Sequence, residues 1–364
     1  MPTKIEWARN GDGTPGETWN PLRGTQGTWH CTKVSPECAY CYAERLNMTD
    51  LHHNGPAYQV GTDTMRLDEK VLAKPLSWRK PRVCFICSMT DLLHEQVPFE
   101  WIDRILDVCR RSPNSFFLIL TKRPERALEY QEWMRTHGRT WPPNVGGGVS
   151  FGTQGYANKF MPLLLQLDLV LRTVSIEPLI EAVDLRPWLD CCSDACDHGE
   201  VFRPNYGHRP APSGIHWIKL GGESGPNPGV RPMDIEHVRP IRDLCIRTGI
   251  PFFLKQWGEW TCETPPKDWF LRSGNGDTQW IGGAANPHQA YRVGKKAAGR
   301  LLDGREWNEF PKILEGHFAN PLHGRMAEGA PGCAHRGAER DAAAGELQIS
   351  AEPGGCPDPQ QRLF

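Results

Sequence analysis

Short apolar runs of strand length recur along the chain: "VCFICS" (83–88), "FFLILT" (116–121), "VGGGVSF" (145–151), "LRTVSIE" (171–177), "IHWIKLGG" (215–222) and "PFFLKQW" (251–257). They are near-continuous rather than alternating, the pattern of strands buried on both faces, as in a parallel sheet. Between them the period changes. "PFEWIDRILDVCRR" sets Trp101, Ile105 and Val108/Cys109 at helical spacing. "RPERALEYQEWMRTHG" predicts a helix ending at Gly138, and "MDIEHVRPIRDLCIRTG" one capped by Asp234 and stopped by Gly249. Pro240, inside that last pattern, predicts a kink or a later start.

Strands alternating with helices predict βα units and a parallel sheet closed, or partly closed, into a barrel. The polar residues gather at the C-terminal ends of the runs: Ser88, Asp91, Thr121, Lys122, Ser150, Glu177, Gly221, Gly222, Glu223, Lys255, Gln256 and Trp257. In barrels and open α/β sheets that edge binds ligands. Two stretches fall outside the rhythm. "DCCSDACDHGEVFRPNYGHRPAPSG" (190–214) reads as a polar insertion, and residues 315–364, rich in Gly, Ala and Pro, read as a disordered tail.

Composition narrows the class. Lys and Arg number 42 against 43 Asp and Glu, so no global field draws the chain to nucleic acid or an anionic membrane. There is no apolar leader and no run long enough to span a bilayer, so a soluble cytoplasmic protein is expected. The 13 cysteines are odd in number and mostly scattered, unlike a secreted disulfide framework. Cys84, Cys87, Cys109 and Cys245 sit in apolar runs and read as small core residues.

The exception is "HCTKVSPECAYCYAERL" (30–46), which places Cys31, Cys38 and Cys41 on one loop. A closed zinc site wants four ligands, and His30, the direct neighbour of Cys31, is poorly placed to complete the set. A redox pair of Cys38 and Cys41 leaves Cys31 unexplained. Three thiolates on an iron–sulfur cluster leave one iron open for a substrate or cofactor.

"WNPLRG…HCTKVSPECAYCYAER" (19–45) resembles the three-cysteine signature of radical S-adenosylmethionine (SAM) enzymes near spore photoproduct lyase. Residues 1–312 are more similar still to the phage and prophage gene-product thirty-seven/sixty-eight family, a radical-SAM-like group. "SMTDLLHEQVP", "LILTKRPER", "SIEPL", "KLGGESGPNPGVRPM", "PFFLKQWGEW" and "VGKKAAGRLLDGREWNEFP" carry that likeness. The resemblance implies a partial (β/α) barrel of the radical SAM type over 1–254, a C-terminal cap over 255–312, and a [4Fe–4S] cluster on Cys31, Cys38 and Cys41. It implies SAM at the fourth iron, Tyr40 beside its adenine, and a flavodoxin or ferredoxin as reductant. SAM would be cleaved to a 5′-deoxyadenosyl radical that acts on a substrate, with a nucleic-acid base or nucleotide as the first expectation.

The chain departs from that pattern in three places. Six residues, not three, separate the first two cysteines, and "TQGTWH" intervenes between Gly24 and Cys31. "GGE" (221–223) matches the motif that receives the SAM amine, but it follows a late strand. Glu223 is therefore expected to face the substrate, with Lys122, Glu177 and Lys255 as further catalytic candidates. Ser88, Asp91, Ser150, Gly221 and Gly222 are expected to line the cofactor. The alternative is a non-catalytic iron–sulfur or zinc protein presenting a binding surface. Cys191, Cys192, Cys196 and His198 form a second candidate metal group. "RVGKKAAGR" (292–300), with Trp257, Trp260 and Trp269 nearby, reads as a solvated helix face rather than a phosphate contact.

Overall fold

The computed structural model describes residues 2–24, 29–47, 65–189, 214–262, 278–282 and 287–314. The second candidate metal group, Trp269, nearly all of the 190–214 insertion and the tail from 315 lie outside the described residues. In chain order the first elements are β1 (Glu17–Trp19), β2 (Leu22–Gly24), α1 (Tyr42–Asn47), β3 (Met65–Leu67) and α2 (Glu69–Leu72). Then come β4 (Val83–Ile86), α3 (Phe99–Arg110), β5 (Phe116–Thr121), α4 (Pro124–Thr136), β6 (Val145–Phe151), α5 (Gln154–Leu165) and β7 (Arg172–Ile176). The order continues with α6 (Arg186–Leu189), β8 (Trp217–Gly221), α7 (Ile235–Thr248) and β9 (Phe252–Gln256).

Seven strands form one parallel sheet in the order β1-β4-β5-β6-β7-β8-β9, curled into a half barrel. All six apolar runs are strands. The seventh, β1, escapes a pattern reading because it is three residues long with Gly and Pro on its flanks. Its position is set by pairing: Glu17, Thr18 and Trp19 lie opposite Cys84, Phe85 and Ile86.

Alternation across the sheet sorts its residues into two cores. The outward set, including Ile86, Phe117, Ile119, Phe151, Ile176, Ile218 and Leu254, packs under α3, α4, α5 and α7. There α3 inserts Ile102, Ile105, Leu106 and Cys109, an i, i+3, i+4, i+7 stripe. Cys84, Cys87, Cys109 and Cys245 are buried in this layer, as expected of small core residues. The inward set, Val83, Phe85, Phe116, Leu118, Leu171, Trp217 and Phe253, packs on Trp7, Ala8 and Leu314, so both ends of the described chain close the floor of the half barrel.

Helix α7 is capped as expected: the Asp234 carboxylate accepts from the Glu236 N–H at 2.8 Å, and Gly249 takes the left-handed conformation at φ 70°. It continues through Pro240 instead of starting after it.

Beyond β9 come β10 (Trp260–Thr261), β11 (Thr278–Ile281), β12 (His288–Arg292), α8 (Lys295–Ala298), β13 (Leu301–Leu302) and β14 (Arg305–Glu306). Strands β10, β12 and β11 make an antiparallel sheet, and β13 with β14 a hairpin. This segment covers the edge of the main sheet: the Leu254 N–H donates to the Trp307 carbonyl at 3.0 Å, and Phe253 bridges to Asn308. Lys255 and Gln256 belong to β9 and thus to the main sheet. No helix among the described residues is long and apolar enough to cross a membrane.

Candidate functional site

The cysteine loop lies across the C-terminal edge of the half barrel, fastened to the loops that follow four different strands. After β4, Tyr42 Oη donates to the Ser88 carbonyl and the Thr90 hydroxyl to the His30 carbonyl. After β5, Arg123 Nη2 donates to Thr32 Oγ1 at 2.7 Å and to its carbonyl at 3.3 Å. After β6, the Gly152 N–H donates to Glu37 Oε1 and Tyr156 Oη to the Val34 carbonyl, both at 2.7 Å. After β8, Arg231 Nη2 donates to the Pro36 carbonyl at 3.1 Å, and its guanidinium lies 5.7 Å from the Tyr40 ring centroid. A loop with only a single 3-10 turn, Pro36–Cys38, is thereby held along its cysteine span.

Two arginines act as the latches. Arg123 bonds Asp91 Oδ2 at 3.1 Å and Glu95 Oε1 at 2.7 Å as well as Thr32. Burial works against its charge, but Asp91 and Glu95 more than restore it. Arg231 forms a forked pair with the buried Glu223, whose Oε2 also accepts the Arg231 N–H at 2.8 Å. The adjacent His94 bonds Thr32 Oγ1 at 3.1 Å, and burial, aided by Arg123, pushes its imidazole down to about 4, so it stays neutral at physiological pH.

Cys31, Cys38 and Cys41 are all half-buried and outside any disulfide. Cys31 and Cys41 pack with Trp29 and Leu46 against Ala43 and Met89. Cys38 Sγ lies 3.6 Å from Ser35 Oγ, and Cys31 Sγ contacts the Thr32 carbonyl at 3.8 Å. Burial pushes the Cys31 thiol up to about 12, with Asp91 adding to the effect and Arg123 opposing it; Cys41 and Cys38 are close enough to contribute. Among the described residues no three Cys, His, Asp or Glu side chains converge on a common metal-ligating point. Three thiols are soft donors in kind, but as placed here they do not form a site; sharing an ion would require them to turn toward each other and exchange protons for it.

Beneath the loop, the inner face of the sheet carries a polar row set by strand register. Thr121 pairs Val149, Ser150 pairs Ser175, and Ser175 pairs Lys219, which places Lys122, Ser150, Ser175 and Lys219 at one level on four adjacent strands. One level higher stand Glu177, Gly221 and Lys255. Lys122 Nζ donates to Ser150 Oγ at 3.0 Å, Lys219 Nζ to Thr173 Oγ1 at 2.8 Å, and Lys255 Nζ to Glu177 Oε1. Lys219, only 1% exposed, also sits 4.5 Å from the ring centroids of both Trp7 and Trp217.

Burial pushes Lys219 down to about 7, with Glu177 opposing and Lys255 reinforcing the shift. Between about 7 and the ordinary 10.5 the unfolded chain binds a proton that the folded chain lacks, so this residue makes stability rise with pH across that window. Below it, both states are charged and the full cost of burial is felt. Going from about pH 7.5 to about pH 9, the wild type should gain about 2 kcal/mol relative to Lys219→Met, as read by urea denaturation; equal changes in both proteins would refute the assignment.

The structure thus groups Lys122, Ser150, Glu177, Gly221 and Lys255 on the inner face, and sets Tyr40 and the three cysteines above them. Ser88, Asp91, Gly222 and Glu223 have other partners. Ser88 Oγ is bonded to Asn20 at 3.2 Å; Asp91 accepts from Thr121, the Lys122 N–H and Arg123. A Cβ on Gly222 would meet the Trp257 carbonyl oxygen at 1.9 Å, so that glycine admits a close backbone approach. Tyr40 packs with Val230, Trp260 and Ala290. A motif reading misses Arg123, Arg231, Glu37 and Lys219. Of these only Lys219 carries a signal, a lone cation inside "IHWIKLGG".

No curated protein and no solved structure matches the chain significantly. The model of a protein family of unknown function, DUF5131, matches residues 2–311, from the segment that floors the half barrel to the one that covers its edge, and the chain belongs to that family.

Proposed function

We propose that the protein is an iron–sulfur enzyme of the radical SAM kind, in which Cys31, Cys38 and Cys41 hold a [4Fe–4S] cluster and the inner face of the half barrel receives the substrate. The observation that carries this reading is the fastening of one three-cysteine loop over the C-terminal edge of a parallel half barrel, above a row of charged and hydroxyl side chains. When bound, the cluster and SAM would supply reductive cleavage of SAM and hydrogen abstraction from the substrate.

The chain's own residues would hold and shield that chemistry. Arg123 and Arg231 fix the loop ends. Glu37 is a buried carboxylate beside Cys38 whose Oε2 has no hydrogen-bond partner in the described structure, which suits it to a ligand amine, whereas Glu223 is taken by Arg231. Trp7, Trp217, Phe253 and Leu314 close the floor, so water would be kept from the reacting groups. Lys122, Glu177 and Lys255 would contact the substrate, for which a nucleobase or nucleotide is the first candidate, and a flavodoxin or ferredoxin would donate the electron. The test is anaerobic reconstitution, reduction with dithionite in the presence of SAM, and chromatographic assay for 5′-deoxyadenosine. Turnover in the wild type and its absence in Cys38→Ala is expected; no product from a fully reconstituted wild type would sink the proposal.

A further inference from the structure

We propose that the inner-face row binds the terminal phosphate of a small phosphorylated substrate, between Lys122 and Lys255 and above Lys219. The inference deepens the reading of the inner face as the substrate site and rests on it. Its argument is charge and register. Lys122, Lys219 and Lys255 project from the ends or bodies of β5, β8 and β9 onto one wall, with Ser150, Thr173 and Ser175 on the strands between; Ser150 accepts from Lys122 and Thr173 from Lys219. Glu177 is the carboxylate bonded within the row, through Lys255. Glu6, which also acts on Lys255, is held by Lys295 at 3.2 Å.

With Lys255 paired to Glu177, the Lys122 ammonium and the buried Lys219 leave the row with an excess of basic groups, which favours a dianion over a neutral or cationic ligand. Lysines on flexible stems, with hydroxyls between them, suit the several oxygens of a phosphate monoester. The burial of Lys219 within the row favours a terminal phosphate over the backbone of a polymer. A ligand anion would also favour the charged form of Lys219, which burial alone disfavours. Trp7 and Trp217, each with its ring centroid 4.5 Å from that ammonium, give the site an intrinsic optical reporter.

The experiment is a tryptophan-fluorescence titration of the full chain with inorganic phosphate, adenosine 5′-monophosphate and adenosine. Saturable, salt-sensitive responses to the first two and none to adenosine are expected. Tighter binding of the nucleotide would identify an esterified phosphate as the preferred form, and equal binding a free one. Lys122→Met and Lys255→Met should each weaken binding by about tenfold. Glu177→Gln should tighten it several-fold by freeing Lys255, a gain that a merely structural role would not produce. No saturable response in the wild type, or equal affinity across the variants, would overturn the proposal. The titration needs no iron, so it fails or succeeds independently of cluster assembly.

Discussion

Replacing Arg123 with alanine is expected to lower the unfolding free energy by about 3–5 kcal/mol, the range for stranding one partner of a buried ion pair. The arginine side chain is 6% exposed and that of Asp91 8%. Removing the guanidinium leaves the carboxylate with the Thr121 hydroxyl and the Leu93 and Lys122 N–H groups, but no opposing charge. It also cuts the tie to Thr32, one residue from Cys31. Glu95, the other partner, is 61% exposed, so Glu95→Gln should change stability by no more than about 1 kcal/mol. Urea denaturation of the two variants separates these cases. A loss below about 1 kcal/mol for Arg123→Ala would show that the latch is not what fixes the loop.

The second large effect concerns the cysteines as a set. Alanine at Cys31, Cys38 or Cys41 should each abolish iron and sulfide uptake on anaerobic reconstitution, because three ligands are the minimum for a cluster with one open iron. Alanine at Cys84, Cys109 or Cys245 should leave uptake intact, since these thiols are buried in the outer core, far up from their ordinary acidity range through desolvation. Iron and sulfide analysis checks both groups. Uptake that survives loss of Cys31 but not of Cys38 or Cys41 would instead favour a thiol pair, and stoichiometric zinc without iron a structural site.

The strands were legible because the sheet is parallel and buried on both faces, so each wrote a continuous apolar run with its ligand-edge residues just beyond it. β1 was not, since three residues carry no period and its place comes from pairing with β4. The cysteine spacing singled out the loop that lies across the sheet edge, but nothing local announced the latches. Arg123 and Arg231 contact residues 91 and 195 positions away in the chain, and a sequence window sees only another basic residue. For the same reason Glu223 read as a substrate-facing residue and Asp91 as one lining the cofactor: a carboxylate at a strand end looks identical whether it faces a ligand or an arginine. Lys219 was written into an apolar strand, yet its meaning depends on the register that sets it level with Lys122, Ser150 and Ser175.

The most direct test of the central claim is electron paramagnetic resonance of the anaerobically reconstituted, dithionite-reduced protein, recorded with and without SAM and with Cys38→Ala as control. The account predicts a reduced-cluster signal that shifts when SAM is added and is absent from the variant. A well-formed cluster whose signal is indifferent to SAM would contradict it and point to a non-catalytic metalloprotein.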